Sequence, residues 1–139
     1  MSAIRVLLAD DDDRFIAVLT ALLERDGRFE IVGTTRNGRE AVELFAARIP
    51  DVVLMDIEMP LMDGIEATRR ILAADSAAQV IAISGSDYQE RALDIRQAGA
   101  VDYIRKSRFI EELVNAILTV AVPGKAIELQ GRGCASTPG

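Results

Sequence analysis

One segment decides the fold of this chain: it runs Val52-Val53-Leu54-Met55-Asp56 and continues as Ile57-Glu58-Met59-Pro60-Leu61-Met62-Asp63-Gly64. The apolar run before Asp56 is short and Val-rich, which is typical of a strand buried on both faces of a sheet. Pro60 and the Asp63-Gly64 pair then indicate a loop. A carboxylate at the end of such a strand lies at the mouth of the sheet, where ligands bind in open α/β folds. Asp56 is therefore the first candidate site residue.

Two further apolar runs end in charged residues in the same way. Ile4–Ala9 is apolar apart from Arg5 and continues into the acidic run Asp10–Asp13, while Tyr103-Ile104-Arg105 continues into Lys106. The C-terminal ends of parallel strands meet at one edge of a sheet. We therefore expect a cluster of polar side chains at that edge, formed by Asp10–Asp13, Asp56, Ser84 and Lys106.

Apolar runs alternate with amphipathic stretches along the whole chain. The patterns predict five strands, at Ile4–Ala9, Glu30–Thr34, Val52–Met55, Gln79–Ile83 and Val101–Arg105. They also predict five helices, at Arg14–Arg25, Arg39–Ala47, Ile65–Ala73, Gln89–Ala98 and Phe109–Val120. This alternation indicates a doubly wound α/β fold, with a parallel sheet, right-handed crossovers and helices on both faces.

The first predicted helix carries an apolar stripe that should face the sheet. Asp12 and Asp13 precede the helix and suit an N-cap and the positive end of the helix dipole. The members of the stripe recur at three- and four-residue intervals: Phe15, Val18, Leu19, Leu22 and Leu23.

Composition and length exclude several classes of function. The 139 residues suffice for one domain with a single core, and the net charge of −6 argues against direct nucleic-acid binding by this segment. No apolar stretch is long enough to span a bilayer and the N-terminus lacks a signal-peptide core, so we expect a cytoplasmic protein without membrane association. The single cysteine, Cys134, provides neither a disulfide framework nor a cysteine metal site.

The periodicity ends at Val122, where Pro123-Gly124 and later Gly131-Arg132-Gly133 follow. Glycine and proline at this density are typical of connecting segments rather than of packed elements. We therefore predict one folded domain over residues 1–121 and a linker or disordered tail over residues 122–139.

The chemistry of the predicted cluster follows from its residue types. The chain has no histidine, so the oxygen atoms of carboxylates remain as ligands, and these favour Mg²⁺ or Mn²⁺ over zinc. Two carboxylates ~4 Å apart repel by on the order of 4 kcal/mol at an effective dielectric of about 20, a cost that a divalent cation removes. Lys106 adds a cation and Ser84 a hydroxyl for phosphate oxygens. The cluster is suited to a phosphoryl group on Asp56.

Four motifs in order give the chain a family resemblance, covering roughly residues 4–120. The chain resembles the receiver domains of bacterial two-component response regulators. The resemblance implies a flavodoxin-like sheet with strand order 2-1-3-4-5, and a phosphorylation-dependent signalling switch rather than an enzyme. The motifs are Leu7-Leu8-Ala9-Asp10-Asp11, Asp56-Ile57-Glu58-Met59-Pro60-Leu61-Met62-Asp63-Gly64, Ile83-Ser84-Gly85 and Gly99-Ala100-Val101-Asp102-Tyr103-Ile104-Arg105-Lys106.

The resemblance also implies a role for each residue of the cluster. Asp56 would accept a phosphoryl group from a histidine kinase or a phosphotransfer protein. Asp10 and Asp11 would hold Mg²⁺, for which Mn²⁺ can substitute, together with Asp56 and the backbone carbonyl of Glu58. Lys106 would pair with the phosphoryl oxygens.

Two residues would transmit the change in the resembling family. Ser84 would swing towards the phosphate and Tyr103 would turn inward behind it, which reshapes the surface formed by the fourth helix, fifth strand and fifth helix. Ser84 stands where threonine is more frequent, and it lacks the methyl group that restricts the threonine rotamer. Ser107 stands where many members have a proline in a cis bond. The Lys106-Ser107 pair suits members attached to helix-turn-helix output domains, so we expect regulation of transcription if the full protein has such a domain.

Other readings of the same residues stay open. A haloacid-dehalogenase-like phosphatase also uses a strand-end aspartate, but it needs Thr or Val two residues after its second acid, and here Asp10-Asp11-Asp12-Asp13-Arg14 offers arginine. A flavodoxin-like FMN carrier would need Ser, Thr or Gly where this chain has four aspartates, which repel phosphate. A receiver-shaped interaction module that is never phosphorylated is the main alternative. A second copy of the chain, forming a homodimer, is a further candidate partner.

Overall fold

The computed structural model describes residues 3–85, 89–106 and 110–121. Five strands alternate with five helices in this part of the chain. The strands are β1 (Ile4–Ala9), β2 (Phe29–Thr35), β3 (Val52–Asp56), β4 (Val80–Ser84) and β5 (Asp102–Arg105). The helices are α1 (Asp13–Asp26), α2 (Gly38–Arg48), α3 (Gly64–Ala74), α4 (Gln89–Ala98) and α5 (Ile110–Ala121).

The strands form one parallel sheet with the order β2-β1-β3-β4-β5. The predicted doubly wound α/β fold and its strand order 2-1-3-4-5 are therefore confirmed. All strands end at the same edge, because parallel pairing aligns their directions. Asp56 and Ser84 are the last residues of β3 and β4, and Lys106 follows β5 directly.

Alternate residues of the central strands face opposite layers of helices, as the pleat of a strand requires. On one face, Leu8 and Leu54 pack with α1 and α5 in a single apolar cluster. On the other face, Leu7 and Val53 pack with α2 and α3. A smaller cluster around Ile95 fixes α4 beside α3. Helices cover both faces of the sheet, and its C-terminal edge is left to the loops.

The predicted apolar stripe of α1 is only partly correct. Leu19 and Leu23 are buried, and Phe15 and Leu22 are half-buried, but Val18 is 52% exposed. An α-helix has 3.6 residues per turn, so Val18 lies about 140° around the axis from Leu23, at the far side of a stripe that is wider than the face in contact with the sheet. The predicted cap is confirmed for Asp12, while Asp13 is the first helical residue.

Glycine at position 64 is required by a close approach of two backbone segments. The Gly64 amide donates to the Ile57 carbonyl at 2.8 Å, and a Cβ atom here would lie 2.1 Å from the Asp56 carbonyl oxygen. This contact holds the start of α3 directly against the end of β3. The predicted turn and helix entry at Asp63-Gly64 is confirmed, since Asp63 caps α3 by accepting from the Glu66 amide at 2.9 Å.

Several sequence-based predictions fall on residues outside the described ranges. They concern the loop at Ser107, the start of the last helix at Phe109, the tail over residues 122–139 and Cys134 within it. Within the described ranges, the helices are too short and too polar for any of them to traverse a bilayer.

Candidate functional site

The polar cluster expected at the C-terminal edge of the sheet is present. The Lys106 ammonium nitrogen lies 2.9 Å from Asp10 Oδ1, 2.7 Å from Asp10 Oδ2 and 3.7 Å from Asp56 Oδ2. Asp10 and Asp56 are buried and Lys106 is half-buried, so these charges interact with little screening by water. Ser84 is buried at the end of the neighbouring strand β4.

Three carboxylates of the cluster are close enough to share a metal ion. One oxygen atom from each of Asp10, Asp11 and Asp56 lies within 4.8 Å of the other two. Asp10 Oδ2 is buried and lies 2.7 Å from the Lys106 ammonium nitrogen, and a carboxylate oxygen has a second lone pair for a further partner. An all-oxygen set with a lone pair still available fits a hard divalent cation such as Mg²⁺. These three residues could therefore hold the ion implied by the resemblance.

Backbone contacts fix Asp10 at the start of the site. The Asp10 amide donates to the Thr35 carbonyl at 2.9 Å, which ties the end of β1 to the end of β2. Asp10 Oδ1 accepts from the Asp12 amide at 2.8 Å, and Asp12 in turn caps α1 by accepting from Arg14 and Phe15 amides. The acidic run thus serves two purposes, because Asp10 points into the site and Asp12 caps the helix.

The loop after β3 holds Asp56 and Glu58. The Ile57 amide donates to the Ile83 carbonyl at 3.0 Å and extends the pairing of β3 with β4 past Asp56. The Glu58 amide lies 3.4 Å from Asp56 Oδ1, and the Glu58 side chain is exposed. Leu61 has a φ of 69° and is 79% exposed, and the Met62 amide donates across it to the Pro60 carbonyl at 2.7 Å.

The electrostatics of the site raise the pKa of both Asp56 and Lys106. The rise disfavours the charged form of Asp56 and favours the charged form of Lys106. Burial, and then the charge of Asp10, raise the pKa of Asp56 to about 7, while Lys106 opposes this rise. Burial alone would lower the pKa of Lys106, but the hydrogen bond to Asp10 and the charge of Asp56 raise it above its ordinary value. Asp56 therefore lacks sufficient positive charge around it, which is the deficit that a divalent cation offsets.

The two residues expected to transmit the change lie on the neighbouring strands. The Lys106 amide donates to the Ser84 carbonyl at 2.7 Å, which joins the end of β4 to the end of β5. Tyr103 pairs with Ala82 in the sheet, is half-buried and packs against the cluster around Ile95. Arg105 is exposed on β5, whereas Lys106 faces the carboxylates, as expected for the cation of the cluster.

Sequence reasoning missed one member of the site. The Lys106 ammonium lies 4.8 Å from the centroid of the Phe15 ring, a distance typical of a cation–π contact. Phe15 had been predicted only as part of the apolar stripe of α1. A usable signal was present, because Phe15 lies in the first turn of α1, three residues after the cap Asp12, and so near the acidic end of β1.

The chain matches a known protein family. Residues 6–118 match the response regulator receiver domain family. The chain belongs to that family. The receiver resemblance drawn from the sequence motifs is therefore confirmed, and the architecture of the sheet agrees with it.

Curated relatives of this receiver domain include both long and short proteins. A protein-glutamate methylesterase/protein-glutamine glutaminase of Halalkalibacterium halodurans is 41% identical over 107 residues, which are 76% of this chain and 31% of that protein. The chain thus spans about a third of the length of such methylesterase relatives. The chemotaxis protein CheY of Bacillus subtilis is 38% identical over 113 residues, which are 81% of this chain and 93% of that protein.

Solved structures show the same fold in receivers of several kinds. The receiver domain of the response regulator NarL from Mycobacterium tuberculosis has a TM-score of 0.83 and 30% identity, covering 87% of this chain and 98% of that one. CheY of Borrelia burgdorferi, solved in a complex with CheX, BeF3 and Mg²⁺, has a TM-score of 0.80 and 30% identity, covering 86% and 90%. The response regulator domain of Thermotoga maritima CheB has a TM-score of 0.79 and 32% identity, covering 86% and 96%.

Proposed function

We propose that this receiver domain is a switch that accepts a phosphoryl group on Asp56 from the phosphohistidine of a histidine kinase or phosphotransfer protein. The observation that carries the proposal is the convergence of Asp10, Asp11, Asp56 and Lys106 at one edge of the sheet. Packing alone does not require three carboxylates and an ammonium group there, because burying charged groups costs free energy that apolar side chains would avoid. These 139 residues include no histidine, so the phosphohistidine lies outside them.

Each residue has a defined part in the proposed reaction. A carboxylate oxygen of Asp56 attacks the phosphorus in line with the bond to the donor nitrogen, and that bond breaks as the acyl phosphate forms. Lys106 lies within 3.7 Å of Asp56 and can move its ammonium group onto a phosphoryl oxygen. A Mg²⁺ ion held by Asp10, Asp11, Asp56 and the Glu58 carbonyl would neutralise charge on the transferred group.

The signal would leave the site through Ser84 and Tyr103. Ser84 is buried at the end of β4, next to the strand that carries Asp56, so its hydroxyl can donate to a phosphoryl oxygen. Tyr103 lies on β5 between the site and the outer surface of the domain. We propose that its inward movement changes the surface made by α4, β5 and α5, and that a partner protein or a second copy of the chain recognises this surface.

The output of the full protein is a separate part of the proposal. Structural similarity to a DNA-binding response regulator of the LuxR family from Staphylococcus aureus suits a DNA-binding output domain and control of transcription, and similarity to methylesterase relatives suits an enzymatic output. The Lys106-Ser107 pair favours a helix-turn-helix output domain. The proposal keeps a receiver domain over residues 1–121, a linker or tail over residues 122–139 and a cytoplasmic location, and this segment itself contacts neither membrane nor nucleic acid.

Phosphorylation by a small donor tests the proposal. The protein is incubated with Mg²⁺ and phosphoramidate, and its intact mass is compared with that of an Asp56→Asn variant. We expect one added phosphoryl group on the wild type, no addition on the variant and no addition in the presence of a chelator. If a phosphorylated histidine kinase also transfers nothing, the domain is a phosphate-independent interaction module, and turnover of many substrate equivalents would indicate a phosphatase.

The exposed carboxylate of Glu58 gives a second test of the same site. Its amide lies beside Asp56 and its side chain reaches solvent, where the water that hydrolyses the acyl phosphate must enter. Replacing Glu58 by Ala should change the dephosphorylation rate by about threefold or more, since charge near the attacking water alters its approach. An unchanged lifetime of the phosphorylated protein would remove Glu58 from the proposal.

A further inference from the structure

We infer that Phe15 is a positioning residue for Lys106. The Phe15 ring keeps the ammonium group of Lys106 beside Asp56 when its partner changes from Asp10 to the phosphoryl group. This inference rests on the proposed function. It starts from the 4.8 Å distance between the ammonium nitrogen and the ring centroid. At this distance the negative face of an aromatic ring attracts a cation, and the attraction grows when water is excluded.

The ring is held rigidly with respect to the carboxylates. The Phe15 amide donates to Asp12 Oδ1 at 3.2 Å, and the Asp12 amide donates to Asp10 Oδ1 at 2.8 Å. The side chain packs against the core cluster shared by β1, α1 and α5. Asp10 and Phe15 are therefore parts of one fixed unit. Lys106 reaches this unit from the end of β5, the strand at the opposite side of the sheet from β2.

The ring contributes most when Asp10 is engaged by a cation. In the described geometry Lys106 has two carboxyl partners, Asp10 and Asp56. A metal ion bound by the same carboxylates reduces their attraction for the ammonium group, whereas it leaves the ring unchanged. The ring then keeps the ammonium group beside Asp56 at the stage when a phosphoryl oxygen must be paired.

A set of variants tests the inference, with the rate of phosphorylation by phosphoramidate and Mg²⁺ as the measurement. Phe15→Leu keeps an apolar side chain but removes the ring, and we expect a rate roughly three- to tenfold lower. Phe15→Tyr keeps the ring and should stay within about twofold of the wild type. Phe45→Leu makes the same chemical change in the core on the opposite face of the sheet, so it controls for lost packing and should leave the rate of the folded protein unchanged.

A double-mutant cycle separates positioning from packing. In a Lys106→Met background the ammonium group is absent, so Phe15→Leu should slow the reaction no further. Placing phenylalanines with one, two and three ring fluorines at position 15 weakens the negative ring face without changing the packing. The rate should fall stepwise with fluorine number. A flat fluorine series, an equal loss in Phe15→Tyr and Phe15→Leu, or an equal loss with and without Lys106 would overturn the inference.

A second readout does not depend on phosphorylation and so separates this inference from the proposed function. The methylene protons next to the Lys106 ammonium should resonate upfield of those of other lysines, because they adjoin a nitrogen that lies 4.8 Å from the centroid of the Phe15 ring. The upfield shift should disappear in Phe15→Leu and persist in Phe15→Tyr. If the wild type shows no such shift, the ring does not hold Lys106, whatever the phosphorylation experiment gives.

Discussion

Two regions of the sheet differ in how tightly they are packed. The acid side, meaning β1, β3 and the loops after them, carries Asp10, Asp11 and Asp56, and every residue of β3 is buried. The β5 side, meaning α4, β5 and α5, contains an edge strand in which three residues are half-buried and one is exposed. Apolar side chains are exposed on both sides: Leu93 on α4 is 59% exposed and Val101, directly before β5, is 42% exposed, while Leu61 in the loop after β3 is 79% exposed.

The contrast fits the proposal that one small domain carries out both phosphoryl transfer and signalling. Phosphoryl transfer needs carboxylates fixed to within a fraction of an ångström, and the buried strands of the acid side provide this. A partner can recognise only an accessible surface, and an element with few buried contacts changes its arrangement at lower free-energy cost. The β5 side meets both conditions, and Lys106 joins the two regions through its contacts with Asp10 and Asp56.

The largest expected effect on stability tests the packing of the acid side. Leu54 on β3 is fully buried, so Leu54→Ala leaves a cavity and should lower the free energy of unfolding by about 4 kcal/mol. Leu93→Ala on the β5 side removes an exposed side chain and should change it by less than about 0.5 kcal/mol. Urea unfolding measures both values. Equal losses would mean that the two regions are packed alike.

A pair of glycine substitutions compares the rigidity of the acid side with that of the loop after β4. Gly64→Ala places a Cβ atom 2.1 Å from the Asp56 carbonyl oxygen, so the end of β3 must shift at a cost of about 3 kcal/mol. Gly85→Ala, beside Ser84, meets only Lys106 Cδ at 3.9 Å and should be tolerated within about 0.5 kcal/mol. Urea denaturation of both variants gives the two costs. A harmless Gly64→Ala substitution would show that the acid side is not held rigidly.

The raised pKa of Asp56 predicts a dependence of stability on pH. Because its pKa in the folded protein is about 7, against 3.8 ordinarily, the folded state binds the extra proton. This contribution is complete below about pH 4 and is lost as pH rises through 7, so stability falls over that range. In the presence of a chelator at pH 8, Asp56→Asn should therefore be more stable than the wild type by on the order of 2 kcal/mol.

The control for this pH prediction is Asp94→Asn, which alters an exposed carboxylate on α4 and should change the unfolding free energy by less than about 0.5 kcal/mol at either pH. Added Mg²⁺ should stabilise the wild type at pH 8 and reduce its difference from Asp56→Asn, because the ion neutralises the carboxylates. Thermal unfolding measured at pH 5 and pH 8 would contradict the account if the wild type were the more stable protein at pH 8 without metal.

The smallest expected effect separates the neighbouring acids at the start of α1. Asp12→Ala removes the cap that accepts from the Arg14 and Phe15 amides and should cost about 1 kcal/mol. Asp13→Ala removes an exposed first-turn carboxylate that pairs with Arg36 and should cost less than half as much. Urea unfolding distinguishes the two, and a larger loss for Asp13→Ala would reverse the assignment of the cap.

The fold and most of the site could be predicted from the sequence because their signals are local. A buried apolar run that ends in Asp56 and is followed by Pro60 and Gly64 indicates a strand and a loop wherever it occurs. The bounds of β2 were less accurate, since Phe29 joins that strand through its parallel pairing with Ile4, a contact invisible in local periodicity. The ring of Phe15 over Lys106 escaped prediction for the same reason, because it depends on how α1 and the end of β5 meet.

The most direct test follows backbone amide resonances as Mg²⁺ and phosphoramidate are added to the wild type and to Asp56→Asn. The account predicts shifts at the acid side and also across α4, β5 and α5 of the wild type, with the middle of α2 unchanged and Asp56→Asn showing only the effect of the metal. Shifts confined to the ends of β1 and β3, or the same shifts in both proteins, would contradict a switch driven from Asp56.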